Sequence, residues 1–270
     1  MPYADLHVHT TRSDGQLELE AVPAAARDAG VDVVALTDHD RLQPFDDPAI
    51  EREGVTLVHG IELRVELADA TAATDRHGDD TQRVDLLGYG VEPTDELASL
   101  VEDVQENRRE RGRAIVDCVE DRLGVDLGVT VHEGFGRPHV ARAIAAHPDV
   151  EYDYRDAFDG LIGDGDPCYV PREIPSFDRG RRVLADACSI VSLAHPLRYN
   201  DPERALARAA ALDAVELQYP YGRDVDLRPV ERTIEREGLL ATGGSDAHDD
   251  QLGLAGLAAD EYRRLGLADP

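Results

Sequence analysis

The amino-acid sequence predicts an α/β fold, either a parallel sheet with covering helices or an α/β barrel, and three observations support this prediction. Strand-like apolar runs alternate with helix-like runs in the first 92 residues and again after residue 187. The length of 270 residues is close to the ~250 residues of a single α/β barrel. Hydrophobic residues make up 42% of the chain, enough for a sizeable core, which argues against global disorder.

The predicted elements follow one another in a regular order, interrupted once. Strands are expected at 3–8, 31–37, 55–63, 83–89, 189–194, 213–218 and 239–242. Helices are expected at 17–29, 95–123, 138–147, 154–163, 176–187, 202–211 and 226–237, and an exposed loop at 68–82. Because the strands cease between 93 and 187, we expect this segment to be a mainly helical insertion. The two parts of the α/β domain are then 1–92 and 188–270.

The charge of the chain is unusually negative. There are 56 acidic and 28 basic residues, which gives a net charge of −28, and every basic residue is an arginine. The acids are spread along the chain rather than gathered in one block, as an acidic binding tail would be. Molar salt screens such self-repulsion, so we interpret the composition as halophilic. A basic face for nucleic acid is disfavoured, and no stable nucleic-acid complex is expected.

Cellular location is predicted from what the sequence lacks. No run approaches the ~20 apolar residues of a membrane-spanning helix, so no membrane association is expected. The opening residues MPYADLHVHT show neither a basic region nor an apolar core of a secretory signal. The odd number and wide spacing of Cys118, Cys168 and Cys188 argue against a disulfide framework and against a cysteine-based zinc site. A cytoplasmic protein is therefore expected.

Histidines and acids collect where the predicted strands end. His7 and His9 are two residues apart on the first strand, so their side chains point to one face. Residues of the same kinds follow at Asp14, His39, Glu62, His195, Asp246 and His248. The carboxyl ends of the strands carry the active site in α/β barrels. Nitrogen and oxygen ligands without cysteine point to Zn²⁺, Mn²⁺ or Fe²⁺.

Each of these residues also has a simpler interpretation. His7 and His9 can be inward-facing barrel histidines. Asp14 lies in Ser13-Asp14-Gly15, which is ordinary turn chemistry. Glu62 interrupts an apolar strand and can form a buried salt bridge instead of a metal bridge.

The motifs DLHVHT, TDHD, GIEL, AHP and GSDAH, in this order, resemble the PHP (polymerase and histidinol phosphatase) superfamily. Within it the chain is similar to the metal-dependent phosphoesterases that include nucleoside bisphosphate phosphatases. The resemblance implies a distorted (β/α)₇ barrel that holds two or three divalent ions (Mn, Zn or Fe). The implied ligands are His7, His9, Asp14, His39, Glu62, His195, Asp246 and His248, with Glu62 bridging two ions.

The resemblance also assigns a ninth ligand and a substrate site. The family's ninth ligand is a histidine at the position of Asp85, so we expect Asp85 to bind a metal in its place; His77 is the alternative. The insertion carries GRPH, where Arg137 and His139 flank the helix-starting Pro138. A helix amino terminus with an arginine and a histidine is suited to an anion. We therefore expect Arg137 and His139 to bind a substrate phosphate; a local helix cap with a surface arginine is the simpler alternative.

The function implied is hydrolysis of a phosphate monoester or diester by a metal-bound hydroxide. The expected substrate is a nucleotide, a nucleoside bisphosphate or a short oligonucleotide. Besides Glu62, either His195 or His39 is expected to act in catalysis by protonating the leaving oxygen. The alternatives are a phosphatase resembling histidinol phosphatase and a catalytically silent metal-binding PHP module.

Overall fold

Residues 1–67 and 82–267 are described by the computed structural model. In these ranges eight strands form one sheet, in the order β1-β2-β4-β5-β6-β7-β8, with β3 paired to β4. The strands are β1 Ala4–Val8, β2 Val33–Leu36, β3 Ala49–Arg52, β4 Val55–Leu67, β5 Gln82–Val91, β6 Cys188–Leu193, β7 Ala214–Gln218 and β8 Leu240–Gly243. The sequence predicted all of them except β3. Its exposed loop at 68–82, with His77, falls almost entirely outside the described residues.

Helices connect the strands and lie close to their predicted positions. They are α1 Val22–Ala29, α2 Asp95–Leu123, α3 Arg137–Ala146, α4 Tyr154–Ala157, α5 Phe177–Ala187, α6 Pro202–Arg208, α7 Arg228–Glu237 and α8 Ala259–Arg264. A π-helical turn at Phe158–Ile162 extends α4, and the sequence did not predict α8. Helices α1 and α7 end at Gly30 and Gly238, which adopt left-handed φ angles of 70° and 67°.

The sheet is mixed rather than wholly parallel, which corrects one expectation. Strands β1, β2 and β4 run parallel, as do β6, β7 and β8, but β5 is antiparallel to both of its neighbours. The sequence predicts no helix between β4 and β5, and adjacent strands without a crossover helix run antiparallel. The 13-residue β4 pairs with β2 through its first half and with β5 through its second half.

The sheet curls until its first strand meets the segment after its last, so that the expected barrel is nearly closed. The backbone N–H of His9 donates to the carbonyl of Ala247 over 2.9 Å. The Asp5 carboxylate, fully buried in β1, accepts bonds from the backbone N–H of Ser245 (2.8 Å), from its hydroxyl (2.6 Å) and from Gly253 N–H (2.8 Å). These bonds fix both ends of the sheet against each other.

Alternate residues of a strand pack on opposite sides of the sheet. Val33 and Ala35 of β2 belong to an apolar cluster with residues of β5, β6 and α8. Val34 and Leu36 belong to a second cluster, which packs α1 against the sheet. This twofold alternation is what the apolar run 31–37 implies for a strand buried on both faces.

The chain divides into two compact units. One contains residues 1–99 and 174–270, and the other contains residues 100–173. The second unit has its own apolar core, to which α2, α3 and the π-helical turn contribute. The sequence assigned 93–187 to the insertion, a longer segment at both ends. Helix α5 packs against β4, β5 and β6 of the first unit.

A disulfide joins Cys118 to Cys168 within the second unit, which the cysteine spacing did not predict. The two residues are 50 positions apart, and folding around the core of this unit brings their Cα atoms to 5.6 Å. Spacing alone cannot reveal such proximity. Cys188 keeps a free thiol, and burial raises its pKa to about 12.

Among the described helices, none combines the length and apolar character needed to cross a membrane.

Candidate metal centre

Two buried imidazoles lie side by side at the carboxyl end of the first strand. His7 lies in β1 and His9 one residue beyond its end, and both side chains are fully buried. Their Nε2 atoms lie 3.5 and 3.2 Å from Oδ1 of Asp246, which follows β8. The donor atoms of His7, His9 and Asp246 all lie within 4.8 Å of one another. This is the first of three groups able to hold a cation.

The second group combines His9 with Asp14, His39 and His248. Nε2 of His248 lies 3.3 Å from Oδ1 of Asp14, and the His248 ring stacks on the His9 ring with 4.3 Å between centroids. His39 directs Nε2 towards Asp14 at 3.8 Å. Two imidazoles and a carboxylate thus surround His9 from three different loops.

The third group is His7, Glu62 and His195. Nε2 of His195 lies 3.1 Å from Oε1 of Glu62. The other oxygen of Glu62, Oε2, lies 2.9 Å from Nδ1 of His39 and 3.3 Å from Nε2 of His9. Glu62 therefore contacts members of all three groups, and this central position is the one expected of a bridging carboxylate.

Buried donor atoms without partners show that the residues fit divalent cations. Within the described residues, Nε2 of His7 and both ring nitrogens of His9 are buried and form no hydrogen bond. Burying such atoms unsatisfied is costly. Shared ions would satisfy them together, and a donor set of imidazoles and carboxylates suits Zn²⁺, Mn²⁺ or Fe²⁺.

The electrostatics of the cluster favour cations as well. Burial opposes ionisation of Glu62, yet His39 and His7 hold the pKa of Glu62 well below its usual range. Burial also opposes protonation of His39, but Glu62 and Asp14 raise the pKa of His39 to about 9. The Glu62 carboxylate is thus ionised, and in the absence of metal its negative charge is balanced by a protonated imidazole.

Two residues of the candidate ligand groups have unusual backbone conformations. His195 and Asp246 have φ angles of 27° and 52°, in the left-handed region that residues other than glycine rarely adopt. Each turns its side chain into the centre directly after a strand, and such outliers cluster at functional sites. Gly244 permits the second turn, because a Cβ at this position would overlap the backbone nitrogen of His7.

The comparisons with known proteins agree with this geometry. The model of the PHP domain matches residues 5–159 of the chain, more than half of its length. The chain belongs to the PHP domain family. It is 28% identical over 271 residues to a 3',5'-nucleoside bisphosphate phosphatase of Chromobacterium violaceum, which covers 92% of this chain and 88% of the relative.

Two further proteins extend this comparison. A 5'-3' exoribonuclease of Haemophilus influenzae is 28% identical over 204 residues, or 73% of this chain and 69% of the relative. A protein of Bifidobacterium adolescentis, assigned as a metal-dependent phosphoesterase, has a similar solved structure. Its TM-score is 0.74 at 23% identity, with 97% of this chain and 94% of the other covered. That structure establishes a shared fold, and the PHP barrel expected from the sequence is confirmed.

Sequence reasoning missed the carboxylates that position members of the candidate ligand groups. Glu216 in β7 is fully buried; its Oε1 lies 3.0 Å from Nδ1 of His7, and its Oε2 accepts the backbone N–H of His195 over 2.7 Å. Asp38 accepts bonds from Thr10 and Ser13 and so fixes the turn that carries Asp14. Glu216 interrupts the apolar run DAVELQ just as Glu62 interrupts its own apolar strand. The sequence therefore carries the same signal for both carboxylates.

One predicted site residue, Asp85, has another partner in the structure. Asp85 is buried in β5, and both of its carboxylate oxygens accept bonds from the Arg64 guanidinium. It belongs to none of the three groups, although Oδ2 lies 3.9 Å from Nε2 of His195. His77, the alternative ninth ligand, lies outside the described residues.

The proposed phosphate-binding residues lie in the second unit, at the start of α3. Nη1 of Arg137 donates to the carbonyl of Ile162 over 3.1 Å and to the carboxylate of Asp164 over 2.6 Å. Nδ1 of His139 accepts the backbone N–H of Gly136 over 3.1 Å, which caps the helix. His139 thus has the capping role that the sequence left open as the simpler alternative.

Proposed function

We propose that this PHP phosphoesterase hydrolyses a phosphate ester of a nucleotide, a nucleoside bisphosphate or a short oligonucleotide. The observation that carries the proposal is the convergence of the three ligand groups on Glu62. Divalent ions held there would activate water for attack on phosphorus and offset the charge of the phosphoryl oxygens. The residues proposed to hold them are His7, His9, Asp14, His39, Glu62, His195, Asp246 and His248.

Glu62, His39 and His195 are proposed to have different roles in the reaction. Glu62 holds the ligands of different groups at fixed separations, because both of its oxygens are engaged. His39 and His195 each contact Glu62 and are the candidates for protonating the leaving oxygen. His39 is the more accessible of the two, with 18% of its side chain exposed against 6% for His195.

Substrate recognition is proposed to use arginines of the second unit. Burial, together with the charges of Arg137 and Arg108, lowers the pKa of Arg111 to about 10. Three arginines thus contribute positive charge to one region of a chain whose net charge is −28, although Asp164 pairs with one of them, Arg137. Concentrated positive charge in so acidic a protein is suited to a phosphate dianion.

The surroundings of Arg137 orient its guanidinium group. It lies 5.7 Å from the centroid of the Phe158 ring and 5.6 Å from that of Tyr169, within cation–π range. Its ionic partner Asp164 is 61% exposed, so a substrate phosphate can reach this pair from solvent. We propose that Arg137, next to His139, binds a phosphate other than the one that is cleaved.

A substrate panel with purified variants tests the proposal. Phosphate release with added Mn²⁺ is measured on a nucleoside 3',5'-bisphosphate, a short 5'-phosphorylated oligonucleotide, histidinol phosphate and an aryl phosphate. Loss of a charge-assisted contact costs ~1.5–3 kcal/mol, so Arg137→Ala should lower kcat/KM on the bisphosphate roughly ten- to a hundredfold. The aryl phosphate has no second phosphate and should be affected much less.

Two variants complete the design. Arg122→Ala removes an exposed arginine near the end of α2 and should leave both rates unchanged. His9→Ala should lose metal and activity together, because His9 belongs to two of the three groups. Equal losses on both substrates in Arg137→Ala would contradict the anchoring role, and turnover of histidinol phosphate alone would contradict the substrate class.

A further inference from the structure

An arginine lies beside the metal centre on the strand that carries Glu62. Arg64 and Glu62 are two residues apart on β4, so their side chains leave the same face of the sheet. Nε of Arg64 donates to Oδ1 of Asp85 over 2.7 Å, and Nη2 donates to Oδ2 over 2.8 Å. The contact is thus bidentate and occupies both oxygens of the carboxylate.

The strand register enforces this pair. Arg64 and Asp85 face each other directly across the antiparallel ladder of β4 and β5. The backbone N–H of Asp85 also donates to the hydroxyl of Tyr199 over 2.8 Å, which fixes the position of the strand. Asp85 is only 1% exposed. The Arg64 side chain is 36% exposed, so the strand register fixes the buried carboxylate and a partly exposed guanidinium group pairs with it.

Asp85 lies at the corner of the third ligand group. Its Oδ2 is 3.9 Å from Nε2 of His195, which is itself 3.1 Å from Oε1 of Glu62. Without Asp85, a cation at this corner would have Glu62, His195 and His7 as ligands, and His7 would be shared with the first group. With Asp85 it would have four protein ligands, the number typical of a closed site.

We propose that Arg64 supplies the positive charge that a further metal ion would supply at the corner of Glu62, Asp85 and His195, and thereby limits the centre to two divalent ions. A guanidinium group is always charged and matches the geometry of a carboxylate. A divalent ion entering this corner would have to displace it from Asp85 against the repulsion between two cations. This inference rests on the proposed metal centre and gives Asp85 a role other than that of a ligand.

Metal stoichiometry tests the inference without reference to activity. Each purified chain is equilibrated with Mn²⁺, separated from free ion, and measured by mass spectrometry for bound manganese per chain. The wild-type chain should bind two ions. Arg64→Met leaves the Asp85 carboxylate without its counter-charge and should bind a third ion, which the double variant with Asp85→Asn should lose again.

The strands offer a matched control. Arg83 lies opposite Glu66 on the same pair of strands, and its Nε donates to Oε1 of Glu66 over 3.3 Å. Arg83→Met removes a cross-strand pair away from the ligand groups and should leave the count at two. If Arg64→Met fails to fold, the single variant Asp85→Asn decides. It should retain two ions if Asp85 serves Arg64, and should lose one if Asp85 is a ligand.

The outcomes separate this inference from the proposed function. Three ions in the wild-type chain, an unchanged count in folded Arg64→Met, or loss of an ion in Asp85→Asn would each overturn the role of Arg64 while leaving the metal centre intact. A wild-type chain that binds no Mn²⁺ would overturn the proposed centre together with this inference.

Discussion

Glu216 should control how tightly the proposed centre binds divalent ions, although it belongs to none of the three ligand groups. Its carboxylate contacts Nδ1 of His7 and accepts the backbone N–H of His195. When Nδ1–H of His7 donates to Glu216, the lone pair of Nε2 faces the centre, which is the tautomer that a metal requires. The carboxylate thus positions two ligands from opposite parts of the sequence.

The substitution Glu216→Gln keeps the size of this side chain and removes its charge. A glutamine offers one acceptor oxygen where the glutamate offers two, so its amide N–H₂ must face either His7 or His195. One charge-assisted hydrogen bond is lost, at a cost of ~1.5–3 kcal/mol, or roughly ten- to a hundredfold in metal affinity. An amide that donates to Nδ1 of His7 also imposes the wrong tautomer.

The assay is competition for Mn²⁺ against a chromogenic chelator, with the melting temperature of the metal-free chain as a check on folding. Glu66→Gln makes the same chemical change on β4, where the carboxylate pairs with Arg83, and should leave Mn²⁺ affinity unchanged. A Glu216→Gln chain that binds Mn²⁺ as tightly as the wild type would refute the reasoning.

The remaining predictions concern stability. The excess of 28 negative charges should make the melting temperature rise by several degrees between about 0.1 M and about 1 M KCl, where the Debye length falls from ~10 to ~3 Å. A flat or falling midpoint, or an equal rise in sucrose, would contradict the halophilic interpretation. Burial lowers the pKa of His59 from 6.5 to about 4. Above pH 6.5 the imidazole is neutral in both the folded and the unfolded chain. As the pH falls from 6.5 towards 4, only the unfolded chain binds the proton, and the free energy of unfolding decreases. Wild-type unfolding free energy should fall by about 2 kcal/mol more than that of His59→Gln between about pH 7 and about pH 5 in urea titrations; equal slopes would contradict this account.

The sequence predicted the positions of elements better than the directions of strands. Helix α2 occupies 95–123 as expected, because a long polar helix without proline or internal glycine clusters is recognisable from its own residues. The direction of β5 depends on which strands it joins, and nothing within RVDLLGY records that choice. Short elements such as β3 leave too brief a pattern to detect.

In the candidate metal centre, too, residues with a local sequence signal were predictable, and contacts set by strand pairing were not. His7, His9 and Asp246 were predictable because metal-binding residue types at strand ends have few other uses. Asp85 was assigned by resemblance alone, and its partner Arg64 could not be foreseen, because a cross-strand neighbour is defined by register. Glu216 was overlooked although it interrupts an apolar strand just as Glu62 does. Its role depends on His195, 21 positions earlier in the chain.

The bonds from Asp5 to Ser245 and Gly253 have a consequence for the order in which the protein matures. They span 240 and 248 positions, so the seam of the barrel closes only when almost the whole chain has left the ribosome. His7 and His9 are synthesised among the first residues, whereas Asp246 and His248, which belong to the same candidate ligand groups, are synthesised near the end. Metal binding by this set of residues would therefore be a late step of biogenesis. Because ions stabilise only the state that assembles all their ligands, a chain truncated before residue 246 is denied this stabilisation and stays exposed to proteolysis.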